Sequence, residues 1–439
     1  MPAGGARAAV VPVGKKQRLV IERLANDGRG IAFVDKRTWF VSNALVAEEV
    51  EARVLTARAN VVEARAEKIL STAEERIRPA CRHADSCGGC SLQHMPHDKQ
   101  LLLKQNSLHD QFSRAELPAP EKWAAPLSDA AYGYRRRARL AVRFDHKTKH
   151  LSVGFRAQAS QTIIDIAQCP ILEQSLEHIV QVLPQTLRAL KKPAHLGHVE
   201  LFAGDQTSVL VRLTQDLPPE DIEALATFCR KNDASLWLQR HEQAEPYALG
   251  DRLSYSLEPA LKIELVPGDF VQVNQRVNQK MIHQALEWLA PKPSERILDL
   301  FCGLGNFALP LALRAKEVIA VEGVAGMVQR AQANALANGL TNVHFHHADL
   351  NEPYTHAAWA QGGFAAVLLG PPRDGALEVT RNVAQLGAKR IVYVSCNPAT
   401  LARDAAVLVE HGYRLERAGM LDMFPQTAHV EAMALFVQG

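Results

Sequence analysis

Arg296-Ile297-Leu298-Asp299-Leu300-Phe301-Cys302-Gly303-Leu304-Gly305-Asn306 decides the architecture of the C-terminal half of this 439-residue chain. The apolar run up to Phe301 reads as a buried parallel strand, Cys302 to Asn306 as a glycine-rich turn and Phe307 to Leu313 as a helix. Glu317 to Val321 repeats the strand signal, and further strand and helix pairs follow at 343–347, 364–369, 391–394 and 413–417, with a last strand near Val430 to Val437. That alternation predicts a doubly wound α/β sheet, which binds ligands in the crevice at the carboxyl ends of its strands.

The candidate chemistry sits at those ends. Glu322 closes the second strand, where a carboxylate can accept from both hydroxyls of a ribose. Asn306 and Phe307 break the spacing to a third glycine, which disfavours a pyrophosphate-bearing dinucleotide, and with it an NAD-dependent oxidoreductase. The turn favours S-adenosylmethionine, which has no phosphate to cradle. Upstream, Gly268-Asp269-Phe270-Val271-Gln272-Val273-Asn274 leads into a helix that Asn274 can cap, and the Gln272 amide suits a base edge or a cofactor.

Ile391 to Val394 reads as a strand ending in Ser395-Cys396-Asn397-Pro398, with Pro398 in the first turn of a helix whose Leu401, Ala405 and Leu408 share a face. A helix start just beyond Cys396 should pull its thiol below the usual value of about 8.5. A small buried core residue is the alternative. Glu431, inside the apolar run Val430 to Leu435, should have a desolvated carboxylate suited to a general base; an ion pair or a turn to solvent is the other reading.

The length implies two or three domains. Residues 1 to 14 read as a disordered leader, and Gln17 to about Leu70 as short alternating strands of a small β-barrel, structural or binding single-stranded nucleic acid. Cys81, Cys87 and Cys90 form a C-x5-C-x2-C run around Gly88-Gly89, and Cys169-Pro170 offers a fourth sulfur. Four thiolates suit either a [4Fe–4S] cluster or tetrahedral zinc. Residues 98 to 115 read as a helix, and Cys229 as a core residue in another. From 131 to 156 there are eight Lys or Arg against one acid, Asp145, interleaved with Tyr132 and Tyr134, a pattern that fits RNA phosphates and bases. A solvated basic face is the alternative, because the net charge of +3 does not itself call for nucleic acid. Seven cysteines in a chain without an export signal argue for metal ligands or a reactive thiol, no apolar run is long enough to span a bilayer, and the cytoplasm is expected.

Taken together, the glycine turn, Glu322, the proline loop Gly370-Pro371-Pro372-Arg373, Ser395-Cys396-Asn397-Pro398 and His429-Val430-Glu431 resemble the RNA uracil-C5 methyltransferases, and the N-terminal β module resembles a TRAM domain. With the four cysteines, the resemblance runs from about residue 15 onward and is strongest to members acting on 23S ribosomal RNA. It implies a class I, Rossmann-like methyltransferase domain (98–132 and 269–439), an OB-like TRAM barrel binding RNA (15–72) and a central α+β iron-sulfur domain with a basic RNA-binding surface (73–97 and 133–268). It also implies Cys396 as nucleophile, Glu431 as base, and Gln272, Phe301, Asn306, Glu322, Asp349 and Gly370 around S-adenosylmethionine. Cys81, Cys87, Cys90 and Cys169 are implied to hold a [4Fe–4S] cluster. A monomer with 23S ribosomal RNA as its partner, no membrane and no obligate protein partner is expected. Two positions depart from the family. The proline loop begins there with aspartate where Gly370 stands here, and Val46-Ala47 replace Pro-Gly in the barrel's Leu-Pro-Gly-Glu turn. The first departure leaves weakened turnover, or a non-catalytic RNA-binding protein, as the rival reading.

Overall fold

A computed structural model describes residues 11–257 and 260–439; the N-terminal part of the expected leader, 1–10, lies outside them. The chain forms two compact units, Met1–Ser107 with Phe424–His429, and Leu108–Met423 with Val430–Gly439.

The first unit holds β1 (Lys16–Val20), β2 (Arg23–Leu24), β3 (Gly30–Val34), β4 (Arg37–Ser42), β5 (Glu49–Ala57) and β6 (Val61–Ser71), hydrogen-bonded in the order β1-β5-β6-β4-β3-β2. Only Ile21 and Glu22 separate the two edge strands, so the sheet closes on itself as a barrel, which removes its edges. Alternation sends Val50, Ala52 and Val54 inward against Trp39, Val41 and Val62. The turn before β5 is held by the fully buried Glu48, which accepts from the amides of Leu45 (2.8 Å) and Ala73 (3.2 Å) and from Arg76 Nε (2.6 Å) and Nη2 (2.9 Å). Ala47 has φ +66°, where the resemblance leads one to expect glycine, a conformation costing an L side chain about 1 kcal/mol or more.

α1 (His97–Arg114) follows, close to its expected bounds, and then β7 (Lys122–Trp123). In the second unit, β8 (Arg137–Phe144), β9 (Leu151–Arg156), β10 (Ile163–Asp165), β11 (Leu196–Ala203), β12 (Thr207–Leu213), β13 (Ala234–Arg240) and β14 (Gln243–Pro246) form one sheet ordered β10-β9-β8-β11-β12-β13-β14. α2 (Gln174–Ala189) and α3 (Pro219–Lys231) belong to the same region. Cys229 is a core residue of α3, its thiol pushed up to about 12 by burial. β15 (Leu253–Leu257) and β16 (Leu261–Leu265) form a hairpin.

α4 (Gln275–Leu289) then leads into the large sheet, built from β17 (Arg296–Leu300), β18 (Glu317–Glu322), β19 (Val343–His347), β20 (Ala366–Leu369), β21 (Arg390–Ser395), β22 (Tyr413–Leu421) and β23 (Glu431–Gln438). Its order is β19-β18-β17-β20-β21-β23-β22-β7; β19 to β21 run parallel, and β23 enters antiparallel between β21 and β22. Helices α5 (Ala308–Ala312), α6 (Ala325–Ala337), α7 (Leu377–Asn382) and α8 (Pro398–Glu410) connect the strands. Near-total burial of Ile297, Leu298, Leu300, Val367, Leu368, Ile391 and Val392 explains the continuous apolar runs of a sheet covered on both faces.

Candidate active site

The order reversal beside β17 opens a crevice at the carboxyl ends of β17, β18, β20 and β21. At the end of β17 the chain turns through Phe301 at φ +65°, Gly303 at +58° and Gly305 at +96°. A bulky residue held in the left-handed region is strained, and such strain concentrates at functional sites. Glu322 fastens this turn: its carboxylate accepts from the Gly303 amide (3.0 Å) and from the Val324 amide (3.0 Å). With about four acceptor sites on a carboxylate, both oxygens can still accept from a ribose. Asp349 follows β19 at the surface, its Oδ1 accepting from the Asn351 amide (2.9 Å). The amide of the preceding Ala348 donates to the Glu322 carbonyl (3.1 Å), which brings Asp349 to the rim of the same crevice.

The segment with Gln272 is tied to the turn through α4. Asn274 caps the helix by accepting from the Val277 amide (3.1 Å), and one turn on the fully buried Asn278 exchanges two 2.9 Å side-chain hydrogen bonds with Asn306. Arg136, 1 % exposed, donates from Nε to the Gln272 carbonyl (2.7 Å), bonds Gln275 Oε1 and lies over the Tyr255 ring at 4.3 Å. Within the basic window, alternation turns Arg136 inward with Tyr134 and Ala138, away from Arg137 and Arg139. Asn278, four residues after Asn274 on one helix face, was missed.

Beneath the turn, Asp299 is 1 % exposed, with the Ala308 amide at the start of α5 as the neighbour that favours its carboxylate. Burial drives its carboxyl well above the usual range, and the Glu322 carboxylate adds to this. Cys302 is buried too, and burial, Asp299 and Glu322 push its thiol well up.

On the other side of β17, the Gly370 amide donates to the Leu300 carbonyl (3.1 Å). A Cβ at Gly370 would meet only the Phe301 carbonyl oxygen, at 3.9 Å, and the backbone there is ordinary, so an aspartate fits without strain. The loop that follows is held by α8. The Arg373 carbonyl accepts from Asn397 Nδ2 (3.1 Å) and Thr400 Oγ1 (3.3 Å), and the Asp374 carbonyl accepts from Arg403 Nη2 (2.9 Å). Asp404, fully buried, accepts from the Ala376 amide (2.6 Å), the Tyr393 hydroxyl (2.6 Å) and Arg403 Nε (2.8 Å). A carboxylate inside an otherwise apolar helix face was its only sequence signal.

Cys396 lies at the tip of β21 and is exposed, with Asn397 capping α8 by accepting from the Ala399 amide (3.2 Å) and Pro398 in the first turn. The β21–β23 ladder ends at Ser395 opposite Ala432; one step beyond, Cys396 faces the buried Glu431. The expected lowering of the thiol is not what this geometry gives. Partial burial of the sulfur raises it, the Glu431 carboxylate raises it further, and Arg373 opposes them.

In the first unit, the His83 amide lies 3.4 Å from Cys81 Sγ and the Gly89 amide 3.4 Å from Cys87 Sγ. Among the described residues, no group of three or more Cys, His, Asp or Glu is arranged to hold a metal ion. Cys169 is a buried residue of the second unit.

A mainly parallel sheet with one antiparallel strand inserted, a glycine turn and an acidic residue ending the next strand define a Rossmann-like S-adenosylmethionine-dependent methyltransferase fold. The profile of the tRNA (uracil-5-)-methyltransferase family matches residues 96–438, and that of the TRAM domain residues 11–66. The chain belongs to the tRNA (uracil-5-)-methyltransferase family. It is 61% identical over 439 residues to the 23S rRNA (uracil(1939)-C(5))-methyltransferase RlmD of Pseudomonas entomophila, covering 100% of this chain and 97% of that one. To the RlmD of Pseudomonas aeruginosa it is 57% identical over 439 residues, covering 100% and 98%. Among solved structures, the Pyrococcus abyssi tRNA (uracil-54, C5)-methyltransferase in complex with S-adenosyl-L-homocysteine superposes with a TM-score of 0.75 at 24% identity, over 96% of this chain and 100% of that one.

Proposed function

We propose that the protein transfers a methyl group from S-adenosylmethionine to C5 of a uridine in 23S ribosomal RNA through a covalent bond from Cys396 to C6. The observation that carries this reading is the exposed Cys396 facing the buried Glu431 at the mouth of the cofactor crevice. The substrate rests on the 23S rRNA enzymes that the chain resembles over its whole length.

S-adenosylmethionine supplies an electrophilic methyl on sulfur, with Gln272, Phe301, Asn306, Glu322, Asp349 and Gly370 around it. Uracil C5 is a poor nucleophile. Addition of the Cys396 thiolate at C6 moves the ring electrons onto the C4 oxygen and C5, and C5 then attacks the methyl carbon. Glu431 takes the proton left on C5, the C5–C6 double bond re-forms, and the thiolate departs. The thiol–carboxylate juxtaposition supports this division of labour: burial and the Glu431 carboxylate raise the Cys396 thiol, and the Arg373 side chain opposes them. A base stacked in folded RNA cannot reach the sulfur, so the target is flipped out, at a cost of roughly a few kcal/mol.

We assign 15–72 to RNA binding, 73–97 with 133–268 to a central domain, and 98–132 with 269–439 to methyl transfer. Cys81, Cys87, Cys90 and Cys169 are proposed to ligate a [4Fe–4S] cluster. Amides directed at two of the sulfurs, as thiolate ligands require, support this donor set. Methyl transfer is redox neutral, so the cluster's role is to shape the fold.

Tritiated S-adenosylmethionine offered with 23S ribosomal RNA fragments and with transfer RNA tests the reading. Label in the 23S fragments at a uracil C5 is expected. Label confined to transfer RNA would replace the substrate, and RNA binding indifferent to the cofactor, with no label anywhere, would favour the non-catalytic alternative that Gly370 raises.

A further inference from the structure

We propose that Asp404 is a positioning residue of the methyl-transfer site: from inside α8 it fixes the 372–376 turn, and with it Arg373, against the strand tip that carries Cys396. The inference rests on the reading above, in which Cys396 is the nucleophile. Asp404 is fully buried and binds three pieces of chain at once. Its Oδ2 accepts from the Ala376 amide (2.6 Å) at the end of the turn and from the hydroxyl of Tyr393 (2.6 Å), three residues before Cys396 on β21. Its Oδ1 pairs with Arg403, at 2.8 Å from Nε and 2.7 Å from Nη2, and that guanidinium also donates to the Asp374 carbonyl (2.9 Å).

The turn is seated on α8 with no slack. The Gly375 amide donates to the Pro372 carbonyl (2.9 Å), and Gly375 has φ +81°. A Cβ there would lie 2.6 Å from Arg403 Nη2, 2.7 Å from Asp404 Oδ2 and 3.0 Å from Thr400 Cβ, so the approach requires glycine. At the other end of the turn the Arg373 carbonyl accepts from Asn397 Nδ2 (3.1 Å), and Asn397 adjoins Cys396. Burial and Glu431 from β23 raise the Cys396 thiol, and Arg373, from this turn, opposes them. Replacing a buried ion pair by apolar residues is often neutral for stability, whereas donors from a strand, a turn and a helix meeting on one carboxylate fix a single geometry. The geometry fixed here is that of the cation beside the thiol.

The test is the pH profile of Cys396 alkylation by iodoacetamide, read by mass spectrometry on the full chain without RNA, so that it does not depend on turnover. Asp404→Asn sets an amide NH2 against donors that now meet a carboxylate. Its midpoint should move up by about half a pH unit, which slows alkylation at pH 7 roughly threefold. Gly375→Ala, which lifts the turn off α8 and leaves the carboxylate in place, should do the same, and Tyr393→Phe should shift the midpoint less. In an Arg373→Ala background the midpoint already lies higher, and Asp404→Asn should add nothing. On a 23S ribosomal RNA fragment Asp404→Asn should lower kcat about tenfold or more, with cofactor affinity by calorimetry unchanged. An unmoved midpoint in folded Asp404→Asn and Gly375→Ala, with the wild type methylating the fragment, overturns the positioning role alone, as does an equal shift with and without Arg373. The expected shift in a protein that methylates no RNA supports the positioning and removes the catalytic reading instead.

Discussion

Two cysteines close two strands of one sheet, and their surroundings differ in almost every respect. Cys302, after β17, is buried, and its thiol is pushed well up by burial, Asp299 and Glu322. Cys396, after β21, is exposed, and its upward shift is opposed by Arg373. The proposed cofactor end is assembled in advance, with the Glu322 carboxylate accepting from two amides and Asn278 locked to Asn306. The proposed nucleophile end presents an exposed thiol beside the 373–376 loop, which Asp404 and Asn397 hold through the Ala376 amide and the Arg373 carbonyl. Residue type at a strand tip therefore does not define a reagent; access and the nearest charges do.

The largest effect should separate the two thiols. Cys396→Ala is expected to lower methyl incorporation by about four orders of magnitude or more, as removal of a covalent nucleophile does elsewhere, while Cys302→Ala should cost about 1–2 kcal/mol in stability with activity within a few fold. Comparable losses in both, measured with tritiated donor on folded protein, would erase the distinction. Next, Glu322→Gln gives up a charge-assisted acceptor worth about 1.5–3 kcal/mol, so cofactor affinity by calorimetry should fall roughly 10- to 100-fold while the reactivity of Cys396 is unaltered.

Gly370 lies between the two ends, and restoring the family's carboxylate is sterically open. Gly370→Asp should raise kcat/KM about tenfold, within the same range for a charge-assisted bond; unchanged kinetics would show that position 370 contributes nothing. The smallest effect concerns the thiol itself. Because burial and Glu431 raise the Cys396 thiol, its alkylation by iodoacetamide should increase with pH through a midpoint above that of a free cysteine. Glu431→Gln removes the like charge, shifting that profile downward and speeding alkylation at pH 7 several-fold, even as turnover is lost. A profile that moves upward would contradict the ladder geometry.

Much of this was legible in the sequence. The large sheet announced itself because both faces are covered, so each strand is a continuous apolar run, and the observed bounds of β19 and β21 lie within a residue of those expected. Cys396, Glu322 and Glu431 stand out as candidates because they punctuate those runs. What sequence could not supply were pairings distant along the chain. The β21–β23 register that sets Glu431 against Cys396 reversed the expected shift of the thiol. The inward turn of Arg136 and the Asp404 hub likewise depend on which face the fold buries. The Ala47 turn adopts the left-handed conformation with an L side chain, beside a buried Glu48 that accepts from the Leu45 amide and from Arg76.

The central claim is a carbon–sulfur bond between Cys396 and a pyrimidine. RNA carrying 5-fluorouridine at the target position, incubated with the protein and S-adenosylmethionine, tests it directly, since fluorine at C5 leaves no proton for Glu431 to take and the adduct cannot resolve. The account predicts a complex that survives denaturing electrophoresis, maps by mass spectrometry to the peptide containing Cys396 and is absent from Cys396→Ala. Methylation of the unmodified RNA with no such complex from the fluorinated one would contradict it.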